Sequence, residues 1–377
     1  MKLVADNSMS NSRDMMPAEN SLRRTVARKL TDLLQAQGFR EIATSLLEPY
    51  STAQKCGEWF ATRCCKFVAP SGDLYVLRPE MTAPIIRALS NRADLGEDVP
   101  RLFYLTNVFN LSGDGAGSVV EQWQVGAEVI SSDPRPLAES ITLSLDLLGT
   151  VGVDDYRITV GHTGLQMALM VALGLTDKDR AALESYLQQG LFVDAKSLLL
   201  TLAGDDDRRS LLSSLGPWLI PGFRGGLPAS CSGQDQVGLA RLKERLQHLA
   251  VEVKTRLSGS GVAREAGAVE VGSDLVSALE RGMAELVAAI DSATRQMPPE
   301  AVLRVSLGLV RPQSYYQGLV WEIYTNDSGL ALGGGGQYDA LIRRFGRQWS
   351  GTGFALSFDR LVDLAGQGRA KDRSSPH

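Results

Sequence analysis

The sequence predicts an α+β protein with a mixed, mainly antiparallel sheet flanked by helices, and with a helical segment inserted between the strands. Residues 39–130 and 299–358 contain short segments of alternating apolar and polar residues, several of them separated by turns of hairpin length. Residues 165–298 instead show the apolar spacing of helices. Strands joined by short turns pair antiparallel, and helices bury their apolar stripes on such a sheet, so the two patterns together indicate this fold class.

The first part of the chain alternates between helix and strand signals. Leu22, Val26 and Leu30 recur at helical spacing, and Gly38 stands where the C-terminal cap of that helix belongs. A Pro-Ser-Gly turn at 70–72 predicts a hairpin. Strands are expected over residues 39–47, 73–77, 101–109, 122–130 and 156–160, and helices from 78 to about 92 and over 140–148.

Residues 165–298 are interpreted as a mainly helical insertion, because strand signals resume after them. Ser273 or Asp274 is expected to cap a helix inside this segment. The glycine run at 333–336 is interpreted as a turn that lets a strand pack closely on a helix. The predicted organisation is a flexible N-terminus (1–16), a core (17–164 and 299–363), the insertion (165–298) and a flexible tail (364–377).

The composition is that of an ordinary globular protein, and it argues against a nucleic-acid-binding, membrane, secreted or metal-binding protein. The 377 residues are 44% hydrophobic and 22% charged with a net charge of −4, so no general field attracts nucleic acid or an anionic membrane. No apolar run reaches the ~18 residues of a membrane span, and a signal peptide is not evident, so a cytoplasmic location is expected. The four cysteines and three histidines predict neither a disulfide framework nor a metal site.

The segment 122–130 has an unusual distribution of polar residues. At the strand period of two, Gln124, Gly126 and Glu128 share one face of an otherwise apolar strand. A glycine within a strand often marks the close approach of a ligand, and a buried carboxylate needs donors or a cation. This face would therefore suit a small ligand that carries N–H groups. The alternative is an edge strand whose polar face is solvated.

Two further segments carry candidate binding residues. Glu80 and Thr82 lie where a helix begins after a strand, so they can face a ligand or simply cap the helix. Arg311, Tyr315 and Tyr316 lie in a loop before a strand, and they could equally be surface residues of a turn.

Six motifs resemble those of the catalytic core of histidyl-tRNA synthetase, in the same order and at similar spacing over about residues 17–363. They are LRPEMTAP at 77–84, RLFYLTNVF at 101–109, QVGAE at 124–128, the segment from Arg311 to Tyr316, GGQYD at 335–339 and GFALSFDRL at 353–361. The resemblance implies the class II aminoacyl-tRNA synthetase core, normally a dimer. It also implies a histidine-binding set that consists of Glu80, Thr82, Gln124, Glu128, Arg311, Tyr315, Tyr316 and Tyr338.

That resemblance also implies a role for each member of the set. Thr82, Gln124 and Glu80 would receive the ammonium group of histidine, and Glu128 would accept the imidazole N–H. The tyrosines would form the walls around the ring.

The sequence departs from that family where ATP would bind. At three positions where the resemblance implies arginines, the chain carries Asn110, Ser118 and Val120. Adenylate formation depends on stabilising negative charge at phosphate, so this departure predicts that the chain is not an adenylating enzyme and has no catalytic residues. The resemblance also ends near Arg360, so the anticodon-binding domain of about 100 residues that follows the core in synthetases is not expected here.

The chain combines a histidine-like pocket with the loss of the arginines that bind ATP. In this it resembles one group of synthetase relatives, the regulatory subunits of ATP phosphoribosyltransferase. The resemblance implies a non-catalytic role in the first step of histidine biosynthesis, with L-histidine as a regulatory ligand and no cofactor. The implied partners are a second copy of this chain and the short catalytic subunit, together in a hetero-octamer. Two alternatives stay open, a histidine-activating synthetase-like enzyme and a protein that binds an amino acid for another partner.

Overall fold

The computed structural model of the chain describes most of its residues. The described ranges are 14–92, 100–111, 119–132, 138–202, 206–223, 229–258, 272–311, 315–326 and 329–374. Within these ranges no helix combines the length and apolarity that crossing a membrane requires. The predicted flexible N-terminus lies outside the described residues over 1–13, and so does the end of the predicted tail over 375–377.

The strands form two sheets. They are β1 (Arg40–Glu41), β2 (Leu47–Pro49), β3 (Lys66–Val68), β4 (Leu74–Leu77), β5 (Leu102–Leu111), β6 (Val119–Ser131), β7 (Tyr156–His162), β8 (Ala229–Ser232), β9 (Val302–Val305), β10 (Gln317–Thr325), β11 (Ala331–Gln337) and β12 (Ser350–Ser357).

The helices precede, interrupt and follow these strands. They are α1 (Pro17–Ala36), α2 (Tyr50–Cys56), α3 (Glu58–Arg63), α4 (Thr82–Ser90), α5 (Ala138–Thr150), α6 (Thr163–Ala172), α7 (Asp177–Gln188), α8 (Phe192–Thr201), α9 (Asp206–Leu219), α10 (Gln236–Ser258), α11 (Gly272–Gln296), α12 (Asp339–Arg344) and α13 (Phe358–Ser374).

The large sheet has nine strands in the order β1-β5-β6-β12-β11-β10-β7-β9-β8, and the small sheet has the order β2-β4-β3. The pairs β1–β5 and β7–β9 are parallel, and the other strand pairs found in the described ranges are antiparallel. The predicted mixed, mainly antiparallel sheet flanked by helices is therefore confirmed. The predicted hairpin at 70–72 connects β3 and β4.

The segment 165–298 contains mostly helix, but it also contributes one strand. β8 pairs antiparallel with β9 at the edge of the large sheet. The expected helix N-cap at Ser273 or Asp274 is wrong, because α11 already includes Gly272. The last helix, α13, continues to Ser374, so helix extends into the segment expected to be a flexible tail. The boundaries of the core and of the insertion stay a prediction.

The interpretation of residues 333–336 as a turn is wrong. These glycines belong to β11, which lies in the middle of the large sheet between β10 and β12. A Cβ on Gly335 would lie 2.1 Å from the carbonyl oxygen of Gly353, and one on Gly333 would lie 2.2 Å from that of Ala355. The run is thus a strand whose neighbours approach its backbone too closely for side chains.

The large sheet separates two hydrophobic clusters, and β6 lies inside the sheet between β5 and β12. The larger cluster receives Val125, Ala127 and Val129 from one face of β6. The smaller cluster contains Met81, Tyr104, Tyr315 and Tyr338 and covers part of the other face, the one that carries Glu128. The interpretation of residues 122–130 as a solvated edge strand is therefore wrong, because both faces of β6 are covered.

Candidate functional site

The start of α4 is held by buried polar residues. Arg78 donates from Nε to the carbonyl oxygen of Asn107 at 3.0 Å and from Nη1 to that of Thr44 at 2.9 Å. Glu80 follows, and its carboxylate accepts the backbone N–H groups of Thr82 and Ala83, each at 2.8 Å. Glu80 therefore caps the helix, as the simpler of its two interpretations predicts.

Glu128 lies beneath this helix start and is almost completely buried, with 1% of its surface exposed. It accepts the hydroxyl of Thr82 at 2.8 Å and that of Tyr338 at 2.5 Å. Burial raises the pKa of Glu128 to about 8; the two hydroxyls oppose this shift and the charge of Glu80 adds to it. At neutral pH we therefore expect Glu128 to be largely protonated.

This protonation predicts a pH dependence of stability. Between the ordinary pKa of 4.5 and about 8, native Glu128 retains a proton that the unfolded chain has released. The free energy of unfolding should consequently fall as the pH rises through this window, by up to about 1.4 kcal/mol per pH unit from this group. Glu128→Gln, which cannot ionise, should lose that slope in urea titrations between pH 5 and 8. An unchanged slope in the variant would contradict the assignment.

Gly126 does not leave an open gap on the polar face of β6. Its cross-strand neighbour Tyr104 fills the space, and a Cβ on Gly126 would lie 2.4 Å from the Tyr104 hydroxyl oxygen. The expected role of Gly126 in admitting a ligand is corrected accordingly. The glycine admits the buried ring of Tyr104, which then forms part of the cavity wall.

A cavity of about 230 Å³ opens above these residues. Its volume lies below the roughly 300–1,000 Å³ of sites for larger ligands, which suits a molecule of amino-acid size. The predicted site residues that line it are Glu80, Thr82, Gln124, Arg311, Tyr315 and Tyr316. Glu128 and Tyr338 lie behind this wall, so a ligand reaches the Glu128 carboxyl group only when a hydroxyl partner gives way.

The tyrosines that line the cavity contact its charged residues. Tyr315 donates its hydroxyl to Glu80 at 3.3 Å and stacks on Phe60, with ring centroids 6.2 Å apart. Arg311 lies over the ring of Tyr316 at 5.4 Å and donates to the carbonyl oxygen of Trp321 at 3.0 Å. A carboxylate and a guanidinium thus line one small cavity, an arrangement suited to a zwitterion.

The wall formed by the ends of β5 and β6 is uncharged at two positions where the synthetase resemblance implies arginines. Asn110 and Val120 are direct cross-strand partners, and the Asn110 amide donates to the carbonyl oxygen of Pro79 at 3.0 Å. Ser118, the third such position, lies outside the described residues.

A recess of about 500 Å³ adjoins this wall and is bordered by two arginines. Arg23 pairs with Asp359 at 2.5 Å. Arg360 donates to the carbonyl oxygen of Leu330 and to the hydroxyl of Thr325, both at 2.9 Å. Both guanidinium groups are thus engaged by the protein itself.

Several lining residues were not predicted. Phe60, Gln122 and Leu332 border the cavity outside the named motifs, and Ser357 borders it from within the motif GFALSFDRL, where it was not chosen as a site residue. Gln122 could have been found, because it shares the strand face of Gln124 and Glu128. Phe60 comes from α3, and no local pattern places that helix against Tyr315.

The chain is similar to curated proteins of two kinds. The ATP phosphoribosyltransferase regulatory subunit of Symbiobacterium thermophilum is 30% identical over 358 residues, covering 93% of this chain and 77% of that protein. That of Carboxydothermus hydrogenoformans is 28% identical over 359 residues, covering 93% and 94%. The histidine–tRNA ligase of Methanocaldococcus jannaschii is 27% identical over 354 residues, covering 93% and 74%.

Solved structures and a family model agree on the fold. A histidine–tRNA ligase subunit from Alicyclobacillus acidocaldarius superposes with a TM-score of 0.72 at 23% identity, covering 98% of this chain and 99% of that one. The family described as histidyl-tRNA synthetase matches residues 11–250 and 229–361. The chain therefore belongs to the histidyl-tRNA synthetase-like family and has the class II synthetase fold.

Proposed function

We propose that this chain is a cytoplasmic, non-catalytic regulatory subunit of ATP phosphoribosyltransferase that binds L-histidine in the cavity beside Glu80. It supports the activity of the short catalytic subunit and transmits feedback inhibition by histidine. In this role it would act at the first step of histidine biosynthesis, as a homodimer within a hetero-octamer.

The observation that carries the proposal is an amino-acid-sized cavity beside a wall in which Asn110 and Val120 are uncharged. Glu80 and Gln124 can receive an ammonium group, and Arg311 can receive a carboxylate. Asn110 and Val120 offer no charge to a triphosphate, whereas adenylation requires preorganised positive charge at the transferred phosphate. The site therefore suits binding an amino acid better than activating one.

The proposal predicts activation and feedback in a reconstituted complex. Mixing the purified chain with a short catalytic subunit should give a larger assembly by light scattering and raise its ATP phosphoribosyltransferase rate. L-Histidine should then lower the rate of the complex more strongly than that of the catalytic subunit alone. No assembly and no change of rate would contradict the proposal.

A histidine-activating enzyme is the second candidate, and the similarity to the histidine–tRNA ligase of Methanocaldococcus jannaschii favours it. The same preparation distinguishes the two. Exchange of labelled pyrophosphate into ATP that depends on histidine would establish the enzyme, whereas we expect no exchange above background. An active histidyl-tRNA synthetase, assayed in parallel, is the positive control.

A further inference from the structure

A second cavity, of about 970 Å³, opens on the same face of the large sheet. One row of cross-strand partners connects the two cavities. Gly334, which lines the first cavity, pairs with Glu322; Glu322 pairs with Thr159, and Thr159 pairs with Arg304. The last three line the second cavity, whose volume is typical of ligand-binding sites. The proposed function makes no use of it.

Two arginines that have no partner among the described residues face this cavity. Arg157 lies two residues before Thr159 on β7, on the face that Arg304 occupies on neighbouring β9. Neither guanidinium has a hydrogen-bond or ion-pair partner among the described residues, and Nε of Arg304 is buried without one. Burial lowers the pKa of Arg304, and the charge of Arg157 lowers it further. Partly desolvated like charges are unfavourable until an anion offsets them.

The acidic side chain in the cavity is already engaged. Glu322 accepts the hydroxyl of Tyr324 at 2.5 Å, and its carboxylate lies 3.7 Å from the guanidinium of Arg311. Glu322 forms no ion pair within 4.0 Å with either free arginine in the described part of the chain. The positive charges of Arg157 and Arg304 are therefore available to an anionic ligand.

The remaining wall of the cavity is partly apolar. Leu187 and Phe192 contribute from α7 and α8, and Leu309 and Val310 contribute from the segment after β9. Phe192 keeps 42% of its surface exposed. An uncovered aromatic ring in the same cavity as two arginines fits a ligand with one anionic end and one apolar end.

We propose that this cavity binds a small phosphate monoester, with its phosphate between Arg157 and Arg304 and its apolar part against Phe192 and Leu309. A guanidinium can hold phosphate oxygens through two parallel N–H···O bonds, which makes arginine the suitable residue for a dianion here. Arg157 and Arg304 do not line the histidine cavity, although Ala331 borders both cavities, and the proposal does not depend on the proposed function.

Calorimetry and thermal unfolding with phenyl phosphate and inorganic phosphate test the proposal, with sodium chloride at matched ionic strength as the reference. Both probes should bind saturably and raise the Tm, and phenyl phosphate should bind more tightly because its ring covers Phe192. Arg304→Met should weaken binding of both probes at least about tenfold. Its Tm without probe should equal or exceed that of the unaltered protein, because the repulsion is relieved.

Two further variants make the result decisive. Arg157→Met should give the same loss of binding, and it serves if Arg304→Met does not fold. Arg28→Met removes the same charge from an exposed position of α1, so it should leave probe binding unchanged. The proposal is overturned by no saturable binding, by full binding in both cavity variants, or by an equal loss in Arg28→Met. A lower Tm of both cavity variants without probe would also overturn it, since the arginines would then stabilise the fold.

Discussion

Gly335→Ala is expected to remove most of the stability of this protein and to leave little soluble, folded material. A Cβ at this position would lie 2.1 Å from the carbonyl oxygen of Gly353 and 2.6 Å from Cζ2 of Trp321. Both contacts come from the adjacent strands, whose backbones are fixed by pairing on their far sides. Overpacking the centre of a sheet should therefore cost more than about 3 kcal/mol, measurable by urea unfolding or by loss of soluble yield.

Gly149→Ala provides the matched control for that experiment. Gly149 lies in α5, and no atom would lie within 4 Å of a Cβ built on it. The same chemical change should be neutral there or stabilising by up to about 1 kcal/mol, because alanine favours helix. Equal stability of the two variants would contradict the prediction, because it would mean that the close contacts along β11 do not prevent side chains on that strand.

Glu128→Ala should have the second-largest effect, on both stability and histidine binding. The substitution leaves the hydroxyls of Thr82 and Tyr338 without their buried acceptor and opens a cavity. The expected cost is about 2–5 kcal/mol, part of which is offset because burying the carboxyl group is itself unfavourable. If the Glu128 carboxyl group releases its proton when histidine binds and accepts the imidazole N–H, calorimetry should show histidine affinity about tenfold to a hundredfold lower in this variant.

Glu128→Gln separates packing from charge in this experiment. Glutamine keeps the side-chain volume, and its amide can bond to both hydroxyls, so most of the lost stability should return. Histidine affinity should not return, because the amide cannot become a carboxylate. If both variants bind histidine as tightly as the unaltered protein does, Glu128 serves only to support the fold beneath the cavity.

Much of the fold could be predicted because its local patterns agree with the tertiary structure. The alternation along 122–130 correctly divides β6 into an apolar face and a face that carries Gln124 and Glu128. β11 was missed because glycine has no preference for strands, and the strand exists only through its pairing with β10 and β12. Residues 364–377 were predicted to be a flexible tail, whereas α13 continues to Ser374 and includes Gly366 and Gly368.

The sequence could indicate which residues belong to the candidate site, but not the contacts that give the cavity its shape. Six of the eight predicted binding residues line the cavity, and Glu128 and Tyr338 lie directly behind it. The sequence could not indicate that Tyr104 fills the space above Gly126, because that contact depends on the register between β5 and β6. It also could not show that Glu128 already has two hydroxyl partners, since they come from α4 and from the residue before α12.

The glycine strand also restricts how the ligand preference of this protein can evolve. Gly333 and Gly334 of β11 line the cavity, so that part of its surface is backbone and cannot be altered by exchanging side chains. A larger residue at either position would collide with a neighbouring strand before it met a ligand. New specificities must therefore arise from positions with side chains to exchange, such as Gln124 and Tyr316. In this chain the ligand preference can change at the periphery of the site, while the backbone of the central strand stays as it is.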